Sequence, residues 1–302
     1  MANKHRKFME DEFDLDLYIK EQAKKTFFKK IQEKSRKLSG VVRIMLIIVS
    51  FITAYTLYSY ASYLIEVWRA NRINQTARDI TEQAAFSETP DGFIYDEAAA
   101  PRAIIQKSAA LTSMPSFMPA IVSLRDEFQN NDIAAYLKIN GSNIDFPVVL
   151  TGDNVYYLTH DLRKQNNAAG SAFMDYENRI KPLGFNTVIY AHNMRDGSMF
   201  HNLRKYGDEE YFKEHKIISL QTLYEDTQWE VFSFYETNTD FLYNTTKFSD
   251  VDEFLIFAEL TKAKSQYPAD LSFTKDTRIL TLSTCTNRDA DDRYVVHAYR
   301  IK

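Results

Sequence analysis

One cysteine, Cys285, occurs in 302 residues. It closes an apolar, strand-like run, Ile279-Leu-Thr-Leu-Ser-Thr-Cys285, and Arg293 follows eight residues later. With no second cysteine the thiol cannot enter an internal disulfide, so it is either buried packing or a reactive group. A catalytic thiol needs a base or cation nearby to favour thiolate, and a donor for the oxyanion that forms when sulfur attacks a carbonyl. The residues that could meet those needs are histidines and Arg293.

The chain has six histidines. His192 directly follows the apolar strand Thr187-Val-Ile-Tyr-Ala191 and opens onto Asn193-Met-Arg-Asp-Gly197. A polar residue at a strand end that meets a loop is where active sites tend to lie. His297 alternates with Val295 and Tyr299 on another strand and shares a face with Arg293. About 13 Å of strand separates those two, at about 3.3 Å per residue. His160, His201 and His215 fall in helix or loop settings and read as solvated surface residues. Arg293 carries a permanent charge on a planar fork of donors, suited to a substrate carbonyl or a developing oxyanion. An ion pair with Asp291 or Asp292 is its competing reading.

Absences narrow the chemistry further. Only eight glycines occur and none follows Gly207, so the last third holds no Walker loop, dinucleotide fingerprint or G-x-S-x-G elbow. H-E-x-x-H, paired cysteines and an EF-hand string are missing from the sequence, which argues against a metal. No cofactor is expected. A formal charge of −4 points to neither nucleic acid nor a strongly acidic partner.

The distribution of charge says more than its sum. From Lys20 to Arg43 there are nine Lys or Arg against two Glu, an excess of seven (9 − 2). Immediately after, Ile44 to Ile65 runs for 22 residues without a charge. At about 1.5 Å per residue such a helix crosses the roughly 30 Å hydrocarbon core of a bilayer. The basic block on its N-terminal side predicts a single-pass protein with residues 1–43 as a cytoplasmic tail and the rest outside the cell membrane. Residues 66–117 read as an extracellular stalk and linker: helix continuing to about Phe86, then a segment with Pro90, Pro101 and Pro115 and no clear period.

The remaining residues, 118–302, must hold the chemistry. A helix is expected over about 119–129, opened by Pro119. Strands are expected at 134–139, 144–150, 171–175, 185–191, 216–221, 229–235, 278–284 and 293–301. Asn140-Gly-Ser-Asn143 marks a hairpin between the first two. Helical patches fall at about 199–205 and 208–214. A longer amphipathic helix over about 251–266, with Asp250 as its cap, sits just before the cysteine strand. This is mainly β with helices, a small and largely antiparallel barrel or sandwich.

At these sites the sequence resembles the sortases, specifically class B. The matching pieces are Tyr190-Ala-His192-Asn-Met with Ser198-Met-Phe200 behind it, Thr281-Leu-Ser-Thr-Cys285, and Arg293-Tyr-Val-Val. Ile144-Asp-Phe-Pro147-Val-Val, Asp153-Asn154-x-Tyr-Tyr-Leu158 and Gly170-Ser-Ala-Phe-Met-Asp175 also look like that class. The likeness is ordered across about 119–302; the cysteine motif with its arginine is specific, whereas a lone Y-x-H is weak. Ala191 stands where Gly is common in the family, which should crowd that strand end slightly.

The resemblance implies an eight-stranded sortase barrel with an N-terminal helix and a long inserted helix before the cysteine strand, preceded here by one transmembrane helix. It implies Cys285 as nucleophile, His192 as general acid/base and Arg293 as support for substrate and oxyanion. Groove contacts would fall on Asn154, Leu158, Thr239, Tyr243 and Ser283. The implied partners are secreted proteins bearing a C-terminal sorting signal, cleaved after Thr through a thioester, and a peptidoglycan amine that accepts them. A pilin-polymerising sortase using a Lys amine is one alternative. A non-catalytic, membrane-anchored surface binding protein with an inert thiol is the other.

Overall fold

Alternation of apolar and polar residues produces eight strands, and pairing partners set their final lengths. The computed structural model describes residues 15–36, 40–87, 118–286 and 291–302. The first 14 residues of the expected tail and residues 88–117 of the expected linker lie outside the described residues. The chain divides into two compact units, 1–62 and 63–302.

The first unit contains α1 (Leu15–Arg36) and the start of α2 (Gly40–Ser87). Phe27, Phe28 and Ile31 of α1 are exposed, as are the apolar side chains of α2 from Ile44 to Phe51. One window of α2 is apolar and long enough to cross a membrane by length and composition.

In the second unit the strands are β1 (Ile133–Ile139), β2 (Asp145–Val149), β3 (Ala172–Met174), β4 (Asn186–Tyr190), β5 (Ile217–Thr222), β6 (Asp226–Asn238), β7 (Ile279–Cys285) and β8 (Asp292–Arg300). They close into a barrel in the order β1-β2-β3-β4-β7-β8-β6-β5, with β5 pairing back to β1. Closure removes every exposed edge. The sheet is largely antiparallel, as expected, but two pairs, β2–β3 and β4–β7, are parallel. The expected 140–143 hairpin joins β1 to β2, with Gly141 at φ +77°, a backbone region that glycine enters without steric cost.

Inward-facing side chains fill the barrel, led by Phe146, Phe200, Trp229 and Phe234, all essentially inaccessible. The Trp229 indole N–H donates to Thr227 Oγ1 at 2.8 Å, so its one polar atom is satisfied. Outside the barrel, α3 (Pro119–Phe128) lays Ile121, Leu124 and Phe128 against β1 and β2. Ile73 and Ala77 of α2 join that cluster, and Arg78 donates to the Asp145 carbonyl at 3.0 Å. Thus residues 66–84, read from sequence as the start of a stalk, include a helical face that packs on the barrel. A six-residue helix, α4 (Glu209–Glu214), follows a 3-10 turn over Phe200–Gly207.

The inserted helix α5 (Val251–Ala263) lies between β6 and β7 and buries Phe254, Phe257 and Ala258 against Phe232 and Ile279. Asp250 caps it by accepting from the Glu253 amide at 2.9 Å, as its sequence position predicts. The helix ends at Ala263 rather than near 266, because Ser265 turns inward toward the Phe234 amide at 3.3 Å.

Candidate active site

A cleft of about 280 Å³ opens at one end of the barrel. His192, Cys285, Arg293, Asn154, Leu158, Thr239, Tyr243 and Ser283 all line it, completed by Phe173, Tyr190, Ala191, Asn244 and Thr284. Residues from six stretches of chain converge there, and strand direction brings the key ones together. β4 and β7 are parallel, so their C-terminal ends, where His192 and Cys285 sit, emerge at the same end of the barrel. β8 runs antiparallel to β7, which brings its first residues to that end too. In the ladder Cys285 is directly opposite Arg293, and side chains paired that way lie on one face of the sheet.

Cys285 is half-buried on the cleft wall rather than packed into the core. Arg293 Nη1 donates to the Asp292 carbonyl at 3.0 Å, which orients its guanidinium. His192 is held by Nε2, which donates to the Leu158 carbonyl at 2.8 Å. Since a carbonyl can only accept, the proton resides on Nε2, and Nδ1 is the nitrogen left to exchange a proton. Leu158 ends a 3-10 turn (Tyr156–Leu158) whose start is fixed by Asp153: its Oδ1 accepts from the Val155 and Tyr156 amides, both at 2.8 Å. Those bonds, Tyr156 foremost, hold the Asp153 carboxyl below its usual range.

Asn154 lines the cleft, but its carboxamide is engaged internally. Nδ2 donates to Asp175 Oδ2 at 2.9 Å, and Oδ1 accepts from the Tyr176 amide at 2.9 Å. The Tyr190 hydroxyl donates to the same Asp175 oxygen at 3.0 Å and accepts from Asn244 Nδ2 at 2.9 Å. Burial raises the Tyr190 pKa, so the phenol stays a neutral donor. Ser283 donates to the Tyr243 hydroxyl at 3.1 Å. Tyr190 belongs to the Tyr190-Ala-His192 motif and sits two residues before His192, a period-2 signal that sequence reasoning passed over. Asn244 carried no signal of its own.

The other histidines among the described residues separate from the cleft. His297 is fully buried, with Nε2 2.7 Å from the Tyr235 hydroxyl and Nδ1 2.8 Å from Thr281 Oγ1. Thr281 spends its hydrogen on Asn186 Oδ1 at 2.7 Å, so it accepts from Nδ1–H, and Nε2 accepts from Tyr235. Burial pushes the His297 pKa down to about 3. It is a satisfied core histidine, not a substrate contact. His160 stacks on Tyr156 and His215 on Tyr211, both half-buried rather than solvated. His201 is also half-buried, with Nδ1 2.9 Å from Asn193 Oδ1.

Residues 137–301 match the sortase domain family. The chain therefore belongs to the sortases, cysteine transpeptidases built on this barrel. Within them it falls in class B: it is 37% identical over 202 residues to sortase B of Listeria monocytogenes, covering 65% of this chain and 78% of that protein. Identity to sortase B of Staphylococcus aureus is 36% over 175 residues, covering 57% of this chain and 72% of that protein. The structure of a Staphylococcus aureus sortase B–substrate complex superposes with a TM-score of 0.58 at 34% identity, covering 66% of this chain and 94% of that one.

Proposed function

We propose that this sortase cleaves a C-terminal sorting signal after a Thr residue and joins the carbonyl to a peptidoglycan amine. Cys285 thiolate attacks the Thr carbonyl, forming a C–S bond, and Arg293 holds the oxyanion. Nδ1 of His192 first takes the Cys285 thiol proton as the thiolate forms; collapse then breaks the C–N bond and His192 delivers that proton from Nδ1 to the departing amine, leaving a Thr thioester. The acceptor amine then attacks the thioester, His192 Nδ1 takes the amine proton, and as the C–S bond breaks that proton passes to the departing sulfur, restoring the thiol and the neutral imidazole. That a relative has been solved as a substrate complex supports a donor substrate binding at the cleft.

The observation that carries this reading is the meeting of His192, Cys285 and Arg293 in one cleft, with Cys285 and Arg293 directly opposed. The apolar stretch of α2 anchors the enzyme in the membrane, with the basic segment inside and the barrel outside, where secreted substrates and wall precursors meet. Incubation with a library of sorting-signal peptides, followed by mass spectrometry, should trap a covalent acyl adduct on Cys285. Cys285→Ala should form no adduct and release no peptide fragment. Cleavage by the alanine variant would overturn the mechanism.

A further inference from the structure

The backbone ladder between β4 and β7 stops at Tyr190 and Ser283, and the next contact, Ala191 N–H to the Ser283 carbonyl, is already stretched to 3.4 Å. His192 and Cys285 lie just beyond that point, where nothing in the ladder fixes one strand against the other. Two side chains replace the missing rungs. Thr284 Oγ1 donates to the Ala191 carbonyl at 2.7 Å, and Asn193 Nδ2 donates to the Cys285 carbonyl at 2.9 Å. They bracket His192 on both sides in sequence, and both residues are buried, so water does not compete for the bonds.

The Asn193 carboxamide is fixed from its other end as well. With Nδ2 given to Cys285, Oδ1 must accept, and the donor is His201 Nδ1–H at 2.9 Å. His201 stands on the 3-10 turn Phe200–Gly207, whose Phe200, Leu203 and Tyr206 are wholly inside the core. The loop between them closes on itself, with the Phe200 amide donating to the His192 carbonyl at 2.9 Å.

From this geometry we propose that Asn193, oriented by His201, is a positioning residue that clasps the His192 loop to the end of the nucleophile strand. It touches neither substrate nor reacting atoms. Its effect is to hold imidazole and thiol at one level, where a displacement of about 1 Å costs on the order of 10²-fold in rate. The proposal rests on the roles given to His192 and Cys285 above and adds the device that sets their separation.

The test follows the pH dependence of Cys285 alkylation by iodoacetamide in the detergent-solubilised full-length chain, which needs no knowledge of the natural substrate. His192→Ala should change the pH profile of the rate. Asn193→Ala should move it in the same direction and lower thioester formation from a sorting peptide by about 10- to 100-fold in kcat with little change in KM. His201→Leu should reproduce part of that loss, and His201→Asn, which keeps a donor, should restore it. An Asn193→Ala profile that overlays wild type while His192→Ala departs would overturn the clasp alone. If His192→Ala also overlays wild type, the role of His192 falls, and the clasp with it. Should Asn193→Ala fail to fold, the His201 pair decides: equal rates in the Leu and Asn variants overturn the proposal.

Discussion

Arg293 and Cys285 are ladder partners, so the charge proposed here to stabilise an oxyanion stands on the strand next to the thiol. Shortening the fork to a point charge should cost catalysis more than binding. Arg293→Lys is expected to lower kcat for thioester formation by about 10-fold and Arg293→Ala by about 10²-fold, read in single-turnover kinetics with thermal unfolding as the control for folding. His297 makes a different prediction. Its folded pKa lies near 3, below the ordinary 6.5, so between those values the unfolded chain holds a proton that the folded chain excludes. Stability from this group is fully present above about pH 6.5 and is lost as pH falls toward 3, by about 2 kcal/mol at pH 5. Urea unfolding should show His297→Gln less stable than wild type at pH 7 but with a shallower decline to pH 5; parallel declines would remove His297 as a cause. At this scale the sequence exposed the reactive residue types plainly. It favoured His192, at a strand end, over His297, within a strand, but could not show that His297 is sealed in the core, because burial is set by the opposite wall of the barrel. It also placed His201 in solvent, since nothing local reports that Asn193 folds back onto it.

Elements carry the site through a few stiff joints. Gly170 (φ +57°) is one: a Cβ there would lie 2.7 Å from the Leu158 carbonyl oxygen and closer still to that of Tyr157. The Leu158 oxygen is the acceptor that holds His192, so crowding at Gly170 is transmitted to the imidazole. Gly170→Ala is therefore expected to lower both the melting temperature and the acylation rate, whereas Gly152→Ala, with open space around its Cβ, should change neither. A Gly170→Ala variant as active and stable as wild type would show that the turn can yield without consequence. Strand and helix positions were legible from alternation and capping to within a few residues. The largest difference is β6, expected over 229–235 and found over Asp226–Asn238. Its extra residues are recruited by partners, Asp226 by Gln221 of β5 and Thr237 by Arg293 of β8, and pairing energy of that kind is invisible in a single strand. The same holds for α2, where Ala70, Ile73 and Ala77 look like part of a solvated stalk until the barrel supplies a surface for them.

Across the whole molecule, the single thiol doubles as a reporter of topology. If residues 1–43 are cytoplasmic and the barrel is outside, a membrane-impermeant maleimide should label Cys285 on intact cells. Labelling that appears only after lysis would reverse the orientation. The chain by itself determined the apolar span with its basic flank, the alternation that makes strands, and the chemistry available from one sulfur, one guanidinium and a few imidazoles. Those properties reside in short windows, where side-chain type and period are sufficient. What only the tertiary structure decided is the parallel pairing of β4 with β7. Had that pair been antiparallel, the strand ends bearing His192 and Cys285 would stand about 16 Å apart, the length of a five-residue strand. A strand's own residues favour extended backbone but do not encode which neighbour it takes or in which direction, because that choice is made by closing the barrel over a shared core.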